Sequence, residues 1–387
     1  MGRWAVWQIA CGLAVLMDFA GGLVGLAIPL LAVHWRVPPS LLGAIGAAGP
    51  LGYTVCCILF QPLTDRWGRQ RSMLWGSLGV TLLSGALATV ALAGWVSALV
   101  GLNFLNGVAL ALFWPATQAS AGIGVPRHRL LHALLAYNLS WSGGRMLGTA
   151  LAGWLFEQHP ALPFLVAGAS SALVAFATVR APMDIGPPPS FDAPHENAEP
   201  WSPTQRLVTS AQLANLVRSF AFFEAVVLFP DLGKRWGWTP EAVSHILSWL
   251  FGGQLSAFVV APWLLRQVGW RWVVGVKAAV ALSAFLLGWL RSWDALALAL
   301  FVLGFAAGLT TVVSLYLSIL TQGRSVKGSA RHEAGVGAGA VLGPLLGGLM
   351  LQWGTPSGAF ALPALLAILV VVAWDVPVRR AVAARQG

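Results

Sequence analysis

Twelve times along this chain, about twenty predominantly apolar residues follow one another with few charges. A helix needs about that length to cross a bilayer, where every backbone N–H and C=O must be satisfied from within the protein. The stretches fall near residues 4–31, 40–60, 72–93, 95–119, 130–156 and 162–179. They resume near 207–229, 242–265, 272–290, 295–320, 334–353 and 356–374. The expected fold is therefore all-α and integral to a membrane, with twelve transmembrane helices. The first stretch exceeds a signal-peptide core and lacks a clear small-residue cleavage site.

Charge composition points the same way. Only 9% of the 387 residues are charged, against about 25% in a typical soluble domain. A surface so poor in charge has to face lipid. The net charge of +10 would raise nucleic acid as a partner of a soluble protein. Here Lys and Arg sit in short gaps between apolar runs, so the expected partners are the bilayer and a small-molecule solute, with no nucleic acid. Cys11, Cys56 and Cys57 lie inside apolar runs, which gives neither a disulfide framework nor a metal site.

Residues 181–206 break the pattern. They hold Pro187, Pro188 and Pro189 together with Asp184, Asp192, Glu196 and Glu199, the composition of a polar linker. It divides a six-helix half at 1–180 from a second at 207–387, which ends in a short tail. With the N-terminus placed in the cytoplasm, sixteen Lys and Arg residues fall on the inner side. Four fall outside: Arg36, Lys234, Arg235 and Arg291. That bias puts both termini in the cytoplasm. Trp4, Trp35, Trp95, Trp270, Trp272 and Trp293 flank the stretches, as interfacial anchors do. The halves also repeat each other. Ser140, Gly144, Gly148 and Ala152 superpose on Gly335, Gly339, Gly343 and Gly347 with a shift of 195. Ala48, Gly52, Cys56 and Pro62 superpose on Ser248, Gly252, Ser256 and Pro262 with a shift of 200. Small residues every four positions form a ridge on which a second helix packs closely.

Between the second and third stretches the chain reads Gln61-Pro62-Leu63-Thr64-Asp65-Arg66-Trp67-Gly68-Arg69-Gln70-Arg71. This resembles the loop signature of the major facilitator superfamily, in which Leu63, Asp65, Arg66, Gly68, Arg69 and Arg71 match. Gln61 stands where the family has Gly, and Gln70 where it has a basic residue. A degenerate copy occupies 262–271. The resemblance implies two pseudo-symmetric six-helix bundles and a solute site near mid-membrane between them. It also implies a cytoplasmic gate made by Asp65, Arg66, Gly68, Arg69 and Arg71, with Asp65 against the start of helix eleven near His332. In helix four, Asn103 to Gly107 lacks the Arg that proton-driven drug exporters of the family usually carry.

Ionisable residues at bilayer depth are costly and mark function by default. Asp18 lies midway along helix one, Arg145 midway along helix five, and Arg218 and Glu224 in helix seven. Asp18 is the foremost site for a proton or a cationic solute, and it has Arg145 or Arg218 as alternative partners. Asn103, Trp114, Gln118, Asn138 and Tyr316 are polar and aromatic residues at positions suited to line a cavity.

No phosphate-binding loop, His-Glu-x-x-His or Gly-x-Ser-x-Gly occurs, so no enzyme is expected. The expected function is secondary active transport of a small organic solute by alternating access. Proton-linked export by a monomer of a bacterial inner membrane leads, with no cofactor beyond the proton gradient. Uptake of a nutrient or metabolite is the alternative within that class. A transporter-like sensor or a membrane-embedded enzyme is the alternative outside it.

Overall fold

A computed structural model describes residues 6–121, 123, 125, 129–181, 205–264, 270–322 and 326–377. The linker expected at 181–206, apart from its two ends, and the last ten residues lie outside that set. The first half comprises α1 (Val6–His34), α2 (Pro39–Leu59), α3 (Gln61–Trp67), α4 (Arg69–Ala93), α5 (Ala98–Ser120), α6 (Leu130–Gln158) and α7 (Leu162–Arg180). The second comprises α8 (Gln205–Arg235), α9 (Pro240–Leu264), α10 (Trp270–Leu287), α11 (Trp293–Gln322), α12 (Val326–Trp353) and α13 (Pro356–Val370). A π-helical turn, Val371–Asp375, follows α13.

Among the described residues there are thus twelve long helices, as the apolar stretches require. Ten are long and apolar enough to cross a membrane on their own. The exceptions are α6 and α10. Arg145 and several Gly and Ser residues dilute the apolar content of α6, whereas α10, at 18 residues, is short rather than polar.

Two expected boundaries need correction. The segment between α2 and α4 is the helix α3 rather than a loop. Pro62 sits in its first turn, where a missing N–H costs nothing, and Gly68 ends it at φ +76°, a conformation that glycine adopts without strain. Helix α12 begins at Val326 rather than near 334, so His332 lies within the helix and not at its start. Its first turns are polar and escape a hydrophobicity scan, yet backbone hydrogen bonding carries the helix past its apolar segment.

Glycine contacts give the repeat a physical basis. A Cβ placed on Gly144 would lie 2.2 Å from the Val15 carbonyl oxygen, and one on Gly148 would lie 2.1 Å from that of Phe19. In the second half Gly339 and Gly343 stand against the carbonyls of Leu216 and Phe220 at 2.5 and 2.3 Å. The 195-residue ridge therefore seats α6 on α1 and α12 on α8. Lipid supplies no hydrophobic drive between helices, so such close approach supplies the attraction through dispersion. The second repeat has a different register. Gly52 meets the Phe104 carbonyl and Gly253 meets that of Phe301, while Gly107 meets Gly49 and Gly304 meets Leu250. The offset along α2 and α9 is therefore 201, not 200. Gly252, which the shorter shift selects, has only Met146 Sδ nearby, at 3.8 Å. Residue type alone mistook one small residue for its neighbour.

Gly148→Leu should weaken the fold by at least about 1–3 kcal/mol, because backbone rather than a movable side chain blocks the new atoms. Gly143→Ala, where nothing lies within 4 Å of the added carbon, is the matched control. Thermal unfolding in detergent reads both, and equal midpoints would refute the ridge.

We call the end of the bundle that carries α3 and Asp375 the base, and the end that carries residues 34–39 and 235–240 the rim. At the rim one apolar core joins both halves, with Leu31, Leu42 and Ile45 packed among Val227, Leu232, Val243 and Ile246. Toward the base the cores separate. One gathers Leu13, Met17, Met73 and Phe113, another Leu207, Val208, Val273 and Leu317. Polar ties also cross the rim. The Ser40 N–H donates to Gln352 Oε1 (3.2 Å) and the Glu241 N–H to Glu157 Oε1 (2.7 Å), while Lys234 donates to the Val33 carbonyl. Among the described residues the halves are locked together at the rim and part toward the base.

Candidate functional site

Asp18 and Arg145 form the charged centre of the first half. The Gly144 and Gly148 contacts bring α6 against α1 along its middle, which sets Arg145 directly over Asp18. Arg145 Nε donates to Asp18 Oδ1 at 3.0 Å and Nη2 donates to the same oxygen at 2.5 Å. The carboxylate is almost wholly enclosed, with 4% of its side chain exposed, whereas the guanidinium side chain keeps 28%. The pair lies on a floor without side chains. A Cβ at Gly21 would stand 2.9 Å from Asp18 Oδ1, and one at Gly25 would stand 3.6 Å from Arg145 Nη1. Of the two partners open to Asp18 in the sequence, the structure selects Arg145.

Arg218 is elsewhere. Its Nε donates to Asn215 Oδ1 at 2.8 Å and the residue is buried. The offset of 201 places Arg218 where Met17 stands in the first half, and Met17 is enclosed in that half's own core. Glu224 is fully buried against Gly347 of α12, where a Cβ would lie 2.3 Å from Oε1. Neither carboxylate oxygen has a hydrogen-bond partner among the described residues.

The expected cavity residues disperse. Asn103 donates to the Ile45 carbonyl at 2.7 Å and clasps α5 to α2. Trp114 packs edge-on against Phe113, and Gln118 is exposed. Asn138 Oδ1 accepts from Trp141 Nε1 at 2.9 Å, and the Trp141 ring meets Phe258 of the other half edge-to-face, with centroids 5.6 Å apart. Tyr316 belongs to α11, but its side chain lies outside the described residues. Trp141, the partner of Asn138, is one helical turn from Arg145 on the same face of α6.

At the base, Asp65, Arg66 and Arg71 are exposed on α3 and the start of α4. Arg69 Nε is enclosed without a hydrogen bond among the described residues. The side chain of His332, the expected neighbour of Asp65, lies outside them. Gln70, which departs from the family pattern, donates to the Thr178 carbonyl at 2.9 Å and ties α4 to the end of α7.

Sequence reasoning missed one charged group. Lys277 of α10 donates to Asp375 Oδ2 at 2.7 Å and to Ser210 Oγ of α8 at 2.9 Å, and Ser210 donates to the other Asp375 oxygen. All three are buried. The signal was a lone Lys in the apolar run Val274-Gly275-Val276-Lys277-Ala278-Ala279. Asp375 stood one residue beyond the expected end of the last stretch.

Two six-helix halves, joined at one end and parted at the other, with a buried ion pair inside the first, have the architecture of polytopic solute transporters. A sequence model of the Major Facilitator Superfamily matches residues 10–227 and 212–387, and the chain belongs to that family. It is similar to a gallate transporter of Pseudomonas putida, 29% identical over 168 residues, which are 43% of this chain and 36% of that one. The match thus spans about a third of that relative's length. The crystal structure of the nucleoside transporter NupG superposes with a TM-score of 0.69 at 12% identity, covering 96% of this chain and 99% of that one. An inward-facing, unoccupied bacterial homolog of the human lysosomal transporter Spinster gives 0.71 at 14% identity, covering 96% and 95%. At these identities the structures establish the shared fold.

Proposed function

We propose that the chain is a proton-linked secondary transporter of a small organic solute, with Asp18 and Arg145 as its coupling pair. The observation that carries this reading is a buried carboxylate held by one partly exposed guanidinium at mid-depth of a two-half bundle. Such a pair has two states, closed on itself or opened by a proton or a solute, and each state can favour a different arrangement of the halves. The base is the cytoplasmic end, on the strength of the Lys and Arg bias. The shared rim core then makes this conformation the inward-facing one, and Asp65 with its neighbouring Arg residues forms the gate that closes the base in the other. The chain works as a monomer in a bacterial inner membrane.

Purified protein in liposomes, given an imposed pH gradient and a panel of labelled organic acids, amines and nucleosides, should concentrate at least one solute. It should lose that ability when an ionophore collapses the gradient. Equal accumulation with and without the gradient would sink proton linkage. Export is the direction the sequence suggested. Uptake is the second reading, and the name of the gallate transporter favours an organic acid as the solute in either direction. The sign of the gradient that drives accumulation separates the two.

A further inference from the structure

We propose that the transported solute is a small organic anion whose carboxylate binds Arg145, and that one proton crosses with it on Asp18. The proposal rests on the transporter reading above and names its substrate class. It starts from the unequal use of the guanidinium. Nε and Nη2 both serve one oxygen of Asp18, and Nη1 has no hydrogen bond among the described residues. The cation, not the carboxylate, is the member of the pair that faces open space. Gly21 and Gly25 keep the surface beside it clear, since a side chain at either would stand against the pair. A planar guanidinium edge with two parallel N–H bonds is shaped for a carboxylate, which an ammonium does not match. One turn along α6, Trp141 is fixed by Asn138 and braced on Phe258. It offers an aromatic wall to the body of a bound acid.

Charge balance then assigns the proton. Arg145 and Asp18 sum to zero. A bound carboxylate would leave one uncompensated negative charge at mid-membrane, which costs several kcal/mol. A proton taken from water onto Asp18 restores neutrality, frees the guanidinium for the solute, and leaves again with it. Around Asp18, α6 contributes Tyr137 and Arg145, α1 itself Cys11, and α2 Tyr53, Cys56 and Cys57. At mid-depth α8 adds Arg218 and Glu224, and α5 has no titratable group. The charged groups of α4 and α7, Arg69, Arg71 and Arg180, sit at the base. The other cation at that depth, Arg218, is buried and holds Asn215, so of the two it is Arg145 that keeps an exposed face for the anion.

The full chain in detergent is titrated with benzoate, 3,4,5-trihydroxybenzoate and the amide of each, with thermal unfolding as the readout. A carboxylate should raise the midpoint saturably and its amide should not. Arg145→Gln should weaken that binding by about tenfold or more, with Arg145→Lys between. Asp18→Asn should still bind the anion, without the pH dependence of the natural protein. Should Arg145→Gln fail to fold, the natural protein in liposomes decides. Uptake of the bound acid should alkalinise the outside and be indifferent to membrane potential. Binding of the amides as tightly as the acids, binding of neither acid, or potential-driven uptake would overturn the proposal. Accumulation of an amine or a nucleoside by the pH gradient, with no carboxylate moved, would overturn it while leaving proton-linked transport standing.

Discussion

In Asp18→Asn, an imposed pH gradient should no longer concentrate the solute, while exchange down a solute gradient persists at a measurable rate. One proton per solute can support about a tenfold concentration ratio for each pH unit, because a unit of pH and a factor of ten are the same 1.4 kcal/mol. The variant should bring that ratio to one. Asn keeps the size of Asp18 and can still accept from Arg145 Nε, so the packing of α1 on α6 survives. What it loses is the ability to take and release a proton. Liposome uptake across a series of pH gradients measures the ratio directly. Wild-type accumulation in the variant would remove Asp18 from the coupling mechanism. Glu224, buried with no hydrogen bond to either oxygen among the described residues, would be the next carboxylate to test.

The second large effect concerns stability. Lys277→Met should destabilise the second half by about 3–5 kcal/mol, because it strands Asp375 as a buried charge with only Ser210 beside it. The double variant Lys277→Met with Asp375→Leu should recover most of that loss. An apolar pair of similar volume has no desolvation penalty to offset, and replacing a whole buried ion pair is often neutral. Unfolding midpoints of the two single variants and the double variant, measured in one detergent, form the cycle. If the double variant loses as much as the sum of the singles, the contact is not an ion pair worth the name. The three residues come from α10, α8 and the turn after α13, so the network pins the last helix to the rest of its half.

How far the sequence reached is plain from particular residues. Apolar length fixed the twelve helices, since a chain in lipid has no other way to satisfy its backbone. The largest underestimate in that reading, at the start of α12, arose where polar residues continue a helix beyond its apolar segment. The ridge from Ser140 to Ala152 and its copy from Gly335 to Gly347 were legible because close packing demands small residues at a strict spacing. The signature from Leu63 to Arg71 was legible as family membership. Its short helix was not, because seven residues carry too little periodicity to show one.

Charge pairing belonged to the tertiary structure. Asp18 had two arginines within reach of argument, and only the seating of α6 on α1 decided for Arg145 across 127 residues. Lys277 and Asp375 stand 98 residues apart, and nothing near either one announces the other. Asn103 faced a cavity in prospect and the Ile45 carbonyl in fact. Helical periodicity tells which face of a helix a side chain occupies, and it is a local quantity. Which helix lies opposite that face depends on how all the helices pack, so partners, burial and the register of the repeat had to wait for the fold.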